Sequence, residues 1–437
     1  MNTINDVPKE ERVNLSQIHC VVIDNGLFIG IAQVLSKTFK SVSYWCPWTS
    51  AFPKSNQWVI GYGIEGVDKL EDLFKFTNSI PKEKRKDYVL VFPDVYSGSM
   101  QEMFEDQGFY CFGSRYGEEM ELLREVMKEH MEDIGLYTTK YKIVTGTQEL
   151  RDYIKKHPNV WVKINKTRGD TETFRAEDYD DIEPVLDKLD ADIGAVKHIK
   201  EFIVEDAYDD AVEVGMDCFC IDGKFPSKSL TGVEIKDLGY IGKFINYDRI
   251  PKQITDFNEQ VAPLMEEFGY RGFFSTEIRV SKDRPPYMLD FCARAGSPPN
   301  ELYGLMYKNL ADIVYYGAHG YMIDPVVEHK FGVEALLHSS WADSNWQPVT
   351  FPAKYADNVR LRNACKIDGK YYCAPQHVKL AEIGAVVAEG DTLEEAIEMC
   401  KKVAASVKGH YIECKLDSLE TAQAEFQKLR DMGLTII

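Results

Sequence analysis

A repeat of short apolar runs, each closed by a turn and followed by an amphipathic stretch, limits most tightly what this chain can fold into. His19–Asp24 is such a run, followed by Asn25-Gly26 and then the amphipathic stretch Phe28–Phe39. Ser41–Trp48, Asp87–Phe92 and Phe109–Phe112 repeat the strand pattern, and Met100–Gln107 repeats the helical one. Strands that alternate with helices pack as a parallel sheet covered on both faces. Residues 1–117 are therefore expected to form a small Rossmann-like domain.

The pattern then changes. Gly117–Ile134, rich in Glu, Leu, Met and Lys, reads as one long helix with Gly135 placed to end it. Tyr141–Lys224 alternates strands and helices around the polar loop Thr167–Thr173. Phe257–Phe268 reads as a helix. Gly272–Val280 and Tyr287–Phe291 read as a strand pair around Ser281–Pro286, where Pro285 and Pro286 exclude regular strand. From residue 331 onward the spacing predicts a third unit, with a strand near Ala385–Ala388 and helices over Leu393–Val407 and Leu419–Met432. The acidic turn Asp391-Thr392-Leu393-Glu394-Glu395 marks a helix start.

Composition narrows the partners. In 437 residues, 70 acidic side chains outnumber 51 basic ones, for a formal charge of −19. Nucleic-acid binders carry basic patches that neutralise phosphates, and the nearest basic run here, Lys82-Glu83-Lys84-Arg85-Lys86, is interrupted by a glutamate. No nucleic-acid partner is expected; small molecules held by a few local cations are. The 10 cysteines form no CxxC pair, which argues against a zinc ribbon. No apolar run approaches the roughly 18 residues of a membrane span, and the first residues have no apolar leader core. A cytoplasmic protein, monomeric or homodimeric and without a membrane partner, is the expectation.

Glu277 and Asp290 sit on the two neighbouring strands. A short hairpin can bring them onto one face, where two carboxylates repel unless a cation lies between them. Magnesium, with its preference for hard oxygen ligands, is the natural cation, and manganese an alternative; two solvated strand residues are the other reading. In Val160-Trp161-Val162-Lys163-Ile164 one lysine interrupts an apolar strand, and alternation puts it on the face opposite Val162 and Ile164. The loop after it, with Thr167, Gly169 and Thr171, either lies over phosphates or is an ordinary hairpin turn. Phe202–Ala207 is an apolar strand ending in Glu205, Asp206 and Ala207, and Glu213 follows eight residues after Glu205.

The order of these residues carries more than any one of them. A helix lysine (Lys128), a strand lysine (Lys163), a polar loop, a strand end (Glu205), a further carboxylate (Glu213), then Glu277 and Asp290 follow one another. In this arrangement the chain resembles the ATP-grasp superfamily, and within it phosphoribosylamine–glycine ligase. The likeness covers roughly residues 19–410. It is most specific in Leu289-Asp290-Phe291-Cys292-Ala293-Arg294-Ala295-Gly296-Ser297-Pro298-Pro299 and in Gly384–Ala396. Met127–Leu136, Trp161–Ile164 and Tyr270–Phe273 carry the rest.

The resemblance implies a Rossmann-like first domain (1–117) and an ATP-grasp domain (118–330) whose two α+β subdomains clamp ATP, with a lid at about 141–224. A small C-terminal α/β unit (331–437) would complete the ligase. Lys128 and Lys163 would contact the ATP phosphates, with Thr167, Gly169 and Thr171 in the closing loop. Glu205, Asp206 and Ala207 would hold the adenine by main chain, and Glu213 the ribose. Glu277 and Asp290 would hold magnesium, and Arg294 and Arg279 would act on the transferred phosphoryl group. The implied reaction joins a small-molecule carboxylate, an amino acid among the candidates, to an amine through an acyl phosphate. Two departures leave alternatives open. Where the family reads Glu-x-Asn, this chain reads Asp290-Phe291-Cys292, and cysteine is a poor magnesium ligand. The glycine-rich turn of the first domain is reduced to Asp24-Asn25-Gly26-Leu27-Phe28-Ile29-Gly30 beside the aromatics Tyr44, Trp45 and Trp48. A phosphotransferase and a non-catalytic ATP-binding protein are the alternatives.

Overall fold

In the computed structural model the described residues are 2–47, 57–165, 173–208, 211–235, 238–377 and 380–434. Trp48 and the loop residues Thr167, Gly169 and Thr171 lie outside them. The fold is mixed α/β, with one parallel sheet and several antiparallel ones. The chain divides into two compact units: residues 1–117, 213–276 and 292–437 form unit 1, and residues 118–212 and 277–291 form unit 2. It passes between them four times, once within the 3-10 turn Arg115–Glu118 and three times inside strands, Val212–Ile221, Arg271–Val280 and Tyr287–Cys292.

Unit 1 opens with the parallel sheet. Its strands are β1 (His19–Ile23), β2 (Ser41–Trp45), β3 (Val67–Lys69), β4 (Tyr88–Val91) and β5 (Tyr110–Phe112), in the order β3-β2-β1-β4-β5. β1 is central, with His19 opposite Ser41 on one side and Tyr88 on the other. Its buried residues Cys20–Ile23 explain the continuous apolar run, because a strand covered on both faces has no polar side. The helix after β1 covers only Ile29–Leu35, shorter than the expected Phe28–Phe39. It gives way to a turn in which Lys37 N–H reaches back to the Val34 carbonyl.

The second sheet of unit 1 is antiparallel and joins distant segments. Lys228–Ile235 pairs with Gly239–Asn246, which pairs with Phe331–Ser339, which pairs with Ala381–Gly390. Residues 331–437 thus share a sheet with residues 228–246 instead of closing a core of their own. Helix Leu393–Ala404 begins at a capping box in which Thr392 and Glu395 each accept the other's backbone N–H, the start foreseen in the acidic turn.

Unit 2 holds a four-stranded antiparallel sheet in the order Tyr141–Thr145, Glu201–Asp206, Val160–Ile164, Thr173–Ala176. One face carries Val144, Val162, Ile164, Phe202 and Val204 into a core closed by Leu150, Ile154, Ile182, Leu186 and Leu189 of two helices. The segment expected to be one long helix is broken. A 3-10 turn (Arg115–Glu118) and a short helix (Glu119–Leu122) stop at Leu123, whose ψ of 75° is non-helical, and Arg124–Asp133 forms a new helix. The break makes Arg124 a first-turn residue whose buried guanidinium donates to the Ile164 carbonyl at 3.1 Å.

Candidate active site

Alternation in the unit 2 sheet builds the site. Trp161 lies opposite Glu205 and Lys163 opposite Ile203, so Lys163 and Glu205 share the face that does not carry the apolar core. Both are nearly sealed from solvent, at 1% and 2% exposure. Lys128 enters from the helix Arg124–Asp133 and is completely buried.

These groups form a chain of charge. Glu205 Oε1 stands 3.3 Å from Lys128 Nζ and 3.5 Å from Lys163 Nζ. Thr139 links the same pair: its hydroxyl accepts from Lys128 at 2.9 Å and donates to Glu205 Oε2 at 2.7 Å. Lys163 also donates to Asp290 Oδ1 at 3.0 Å and to the Leu289 carbonyl at 2.9 Å. Arg124 Nε lies 3.5 Å from Asp290 Oδ1.

The electrostatics follow from burial and partners. Burial pulls Lys163 towards neutrality, but Asp290 and Glu205 outweigh it and raise its pKa. Burial pushes Glu205 up, and Lys163 and Lys128 more than reverse this, so it stays ionised. Asp290 is likewise pushed up by burial, yet Lys163 and Arg124 hold it down to about 2. Lys128 differs: burial wins over Glu205 and its pKa is lowered. Three cations face two carboxylates, leaving one positive charge in excess.

Of the residues singled out in the sequence, the structure brings Lys128, Lys163, Glu205 and Asp290 together within unit 2. Glu277 and Arg279 are on the first arm of the same hairpin and partly buried, with Arg279 Nη1 3.5 Å from the Ala211 carbonyl. The N–H of Asp206 donates to Lys140 and that of Ala207 to Asn159, so both are engaged by the chain's own carbonyls. Glu213 and Arg294 belong to unit 1. Cys292 also belongs to unit 1, is 4% exposed, and its thiol faces the Arg294 carbonyl at 3.7 Å. Arg124 and Thr139 escaped the sequence reading. A signal existed for Arg124, since it lies four residues before Lys128 and so on the same helix face.

The first-domain turn is filled from within. A single oxygen of buried Asp24 accepts the N–H groups of Gly26 at 3.1 Å and Phe28 at 2.9 Å, and the Tyr44 hydroxyl at 2.6 Å. An internal carboxylate thus holds the donors that an anion-binding turn would present. Arg115, in the loop after β5, is buried and bonded to Glu105 and to the Gly113 and Cys111 carbonyls, so it packs inward.

Among the described residues, the group of three or more potential metal ligands that comes together is Glu328, His329 and Glu389, and Lys308 Nζ already sits 2.8 Å from Glu389. No described helix is long and apolar enough to cross a membrane.

The chain has the ATP-grasp fold. No family model and no curated protein sequence matches it, so the likeness is one of structure. The phosphoribosylamine–glycine ligase of Thermotoga maritima superposes with a TM-score of 0.69 at 18% identity, over 91% of this chain and 99% of that one. The biotin carboxylase domain of Hydrogenobacter thermophilus 2-oxoglutarate carboxylase, solved with ADP, magnesium and bicarbonate, gives 0.64 at 11% identity over 95% and 96%. N5-carboxyaminoimidazole ribonucleotide synthetase of Thermotoga maritima gives 0.59 at 14% over 90% and 99%.

Proposed function

We propose that this chain is an ATP- and magnesium-dependent ligase that activates a small-molecule carboxylate and joins it to an amine. The observation that carries the reading is the buried series Lys128–Glu205–Lys163–Asp290–Arg124, with its one positive charge in excess, inside an ATP-grasp fold. Buried charge of one sign in a low-dielectric setting draws a counter-ion strongly. A triphosphate would meet that need at Lys128 and Lys163, and in doing so would free Asp290 from Lys163. The ADP and magnesium in the Hydrogenobacter structure support the nucleotide half of the reading.

The donor set fits magnesium. Glu277 and Asp290 offer hard carboxylate oxygens on one hairpin, and manganese would accept the same atoms. A bound ion would supply charge neutralisation across the phosphates. The segment Glu205–Ala207 would read the adenine mainly through carbonyl groups, since two of its N–H groups are engaged. Glu213 would take the ribose, and Thr167, Gly169 and Thr171 would lie over the phosphates. Arg294 and Arg279 would steady the transferred group. The proposed ligase comprises the first domain (1–117), the ATP-grasp segment (118–330) and residues 331–437, which would complete it.

In the reaction, a carboxylate oxygen attacks the γ-phosphorus and the bond to the β-phosphate oxygen breaks, releasing ADP. The amine nitrogen then attacks the acyl carbon, loses a proton and expels phosphate. Positioning and charge neutralisation account for most of the rate. The test is a screen of paired acids and amines for ADP release, with products read by mass spectrometry. ADP release that needs both partners and yields an amide supports the reading. A stable phosphorylated product formed without amine would assign a phosphotransferase instead, and ATP binding without turnover in any pair would sink the ligase.

A further inference from the structure

We propose that the amine joined by this chain carries no phosphate group, because Asp24 and Asn363 close the place at which the parallel sheet would hold one. The proposal rests on the ligase reading above and names the class of one of its substrates. In an open α/β sheet, ligands lie beyond the carboxyl ends of the strands, where the chain's course across the sheet reverses. In the order β3-β2-β1-β4-β5 that point lies between β1 and β4, within unit 1. The turn after β1 runs from Asp24 to Phe28 and leads into the helix Ile29–Leu35. Backbone N–H groups in such a turn are the donors that a phosphate would take.

Those donors are already taken. Asp24 Oδ2 accepts the N–H groups of Gly26 and Phe28 and the Tyr44 hydroxyl, so it stands where a phosphate oxygen would. Asn25, with its amide nitrogen turned as its hydrogen bonds require, donates to Asp24 Oδ1 and to Asp94 Oδ2, each at 3.2 Å. Asn363 packs directly on the turn, and its N–H donates to the Gly26 carbonyl at 2.7 Å. Even a methyl group on Gly26 would collide with the side-chain oxygen of Asn363 and stand 3.1 Å from Ile60 Cδ1.

Charge points the same way. Asp94 heads the second turn at this edge, after β4, and accepts the Val95 N–H at 2.9 Å. Asp24 and Asp94 are 4% and 5% exposed. Burial pushes the Asp24 carboxyl up to about 6, which leaves it ionised at neutral pH. A phosphate monoester, with a charge of about −2 near neutral pH, would meet two carboxylates where the low dielectric strengthens repulsion. Lys69, 5.4 Å from the Tyr44 ring centroid, offsets part of that field, and Arg115 is turned inward to Glu105. A neutral or cationic group meets no such penalty. Asp24 is therefore a specificity-determining residue, a built-in anion that excludes an external one.

The first experiment measures ADP release by the full chain with matched amines: ethanolamine against phosphoethanolamine, and glucosamine against its 6-phosphate, each with the acids of the screen above. The member without phosphate should have the higher kcat/KM, by about tenfold or more. Asp24→Asn keeps an oxygen on the N–H groups of the turn but loses the charge, and should narrow that preference. The second experiment needs no turnover. Ribose 5-phosphate is titrated by calorimetry into wild type and Asp24→Ala without ATP. Wild type should show no saturable binding, and Asp24→Ala, with its N–H groups freed, should gain it; should the alanine variant fold poorly, the asparagine variant carries the test. Preference for the phosphorylated amine, an unchanged preference in Asp24→Asn, or ribose 5-phosphate binding no better in a folded Asp24→Ala than in wild type overturns the proposal. Turnover with phosphorylated amines alone would leave the ligase reading standing. No turnover with any pair, together with binding gained in Asp24→Ala, would do the reverse.

Discussion

Each carboxylate in the buried series is shared between two cations, and this sharing sets what a single substitution does. Lys163→Met would leave Asp290 with Arg124 and Glu205 with Lys128, so each acid keeps a partner. The expected stability loss therefore sits near the lower end for breaking a buried pair, about 3 kcal/mol, read from denaturant unfolding. ATP-dependent turnover should fall by at least about 10²-fold, the scale for removing one preorganised donor, and full activity would remove Lys163 from the site. Asp290 gives a pH signature. Its carboxyl is held at about 2 in the folded chain against 3.8 in an unperturbed one. A depressed carboxylate stabilises the fold above its unfolded value and loses that contribution as pH falls to its folded value. Wild type should lose stability between about pH 4 and pH 2, and Asp290→Asn should show a shallower slope there in acid melting curves. Lys163 was legible at this scale because it interrupts an apolar strand. Arg124 was harder to read, because its spacing from Lys128 puts it on the same helix face, yet a basic residue in a helix rich in Glu and Lys looks like solvated surface.

Among elements, those set by local chemistry could be read and those set by distant pairing could not. The stop at Gly135 is a case of the first kind. Gly135 N–H reaches the Glu132 carbonyl and Leu136 N–H the Met131 carbonyl, a Schellman ending with Gly135 at φ 81°. A methyl group there would meet nothing within 4 Å, so the cost of Gly135→Ala is conformational alone. It should come to about 1 kcal/mol, measured by thermal or urea unfolding, and a neutral result would mean that the helix end relaxes freely. The start of the same helix was misread, since nothing in Glu118–Arg124 breaks the periodicity. Residues 331–437 show the second kind. Phe331–Ser339 finds its partner in Gly239–Asn246, and such a pairing across some 90 residues leaves no periodicity in either strand.

At the scale of the whole molecule, the parallel sheet and the ordered lysines and carboxylates were visible because each rests on a short pattern. Three of the four crossings between the units were not, since they cut through strands where no linker composition marks a boundary. Unit 2 draws Lys128, Lys163 and Glu205 from residues 118–212 and Asp290 from residues 277–291, so its charge balance depends on a hairpin that follows it by more than 60 residues. That has a consequence for ligand response. A ligand that binds only the folded chain stabilises it by about 2.7 kcal/mol at a hundredfold excess over its dissociation constant. Magnesium-ATP should therefore raise the melting temperature of wild type by several degrees, and ATP with a chelator by less, because in the proposed site Glu277 and Asp290 would then face the phosphates without a cation between them. In Lys163→Met both shifts should shrink together, whereas in Asp290→Asn the difference between magnesium and chelator should be the part that disappears. If Asp290→Asn kept the full magnesium increment, the metal would have to be held elsewhere, and the role of Asp290 would reduce to holding Lys163 and Arg124 in place.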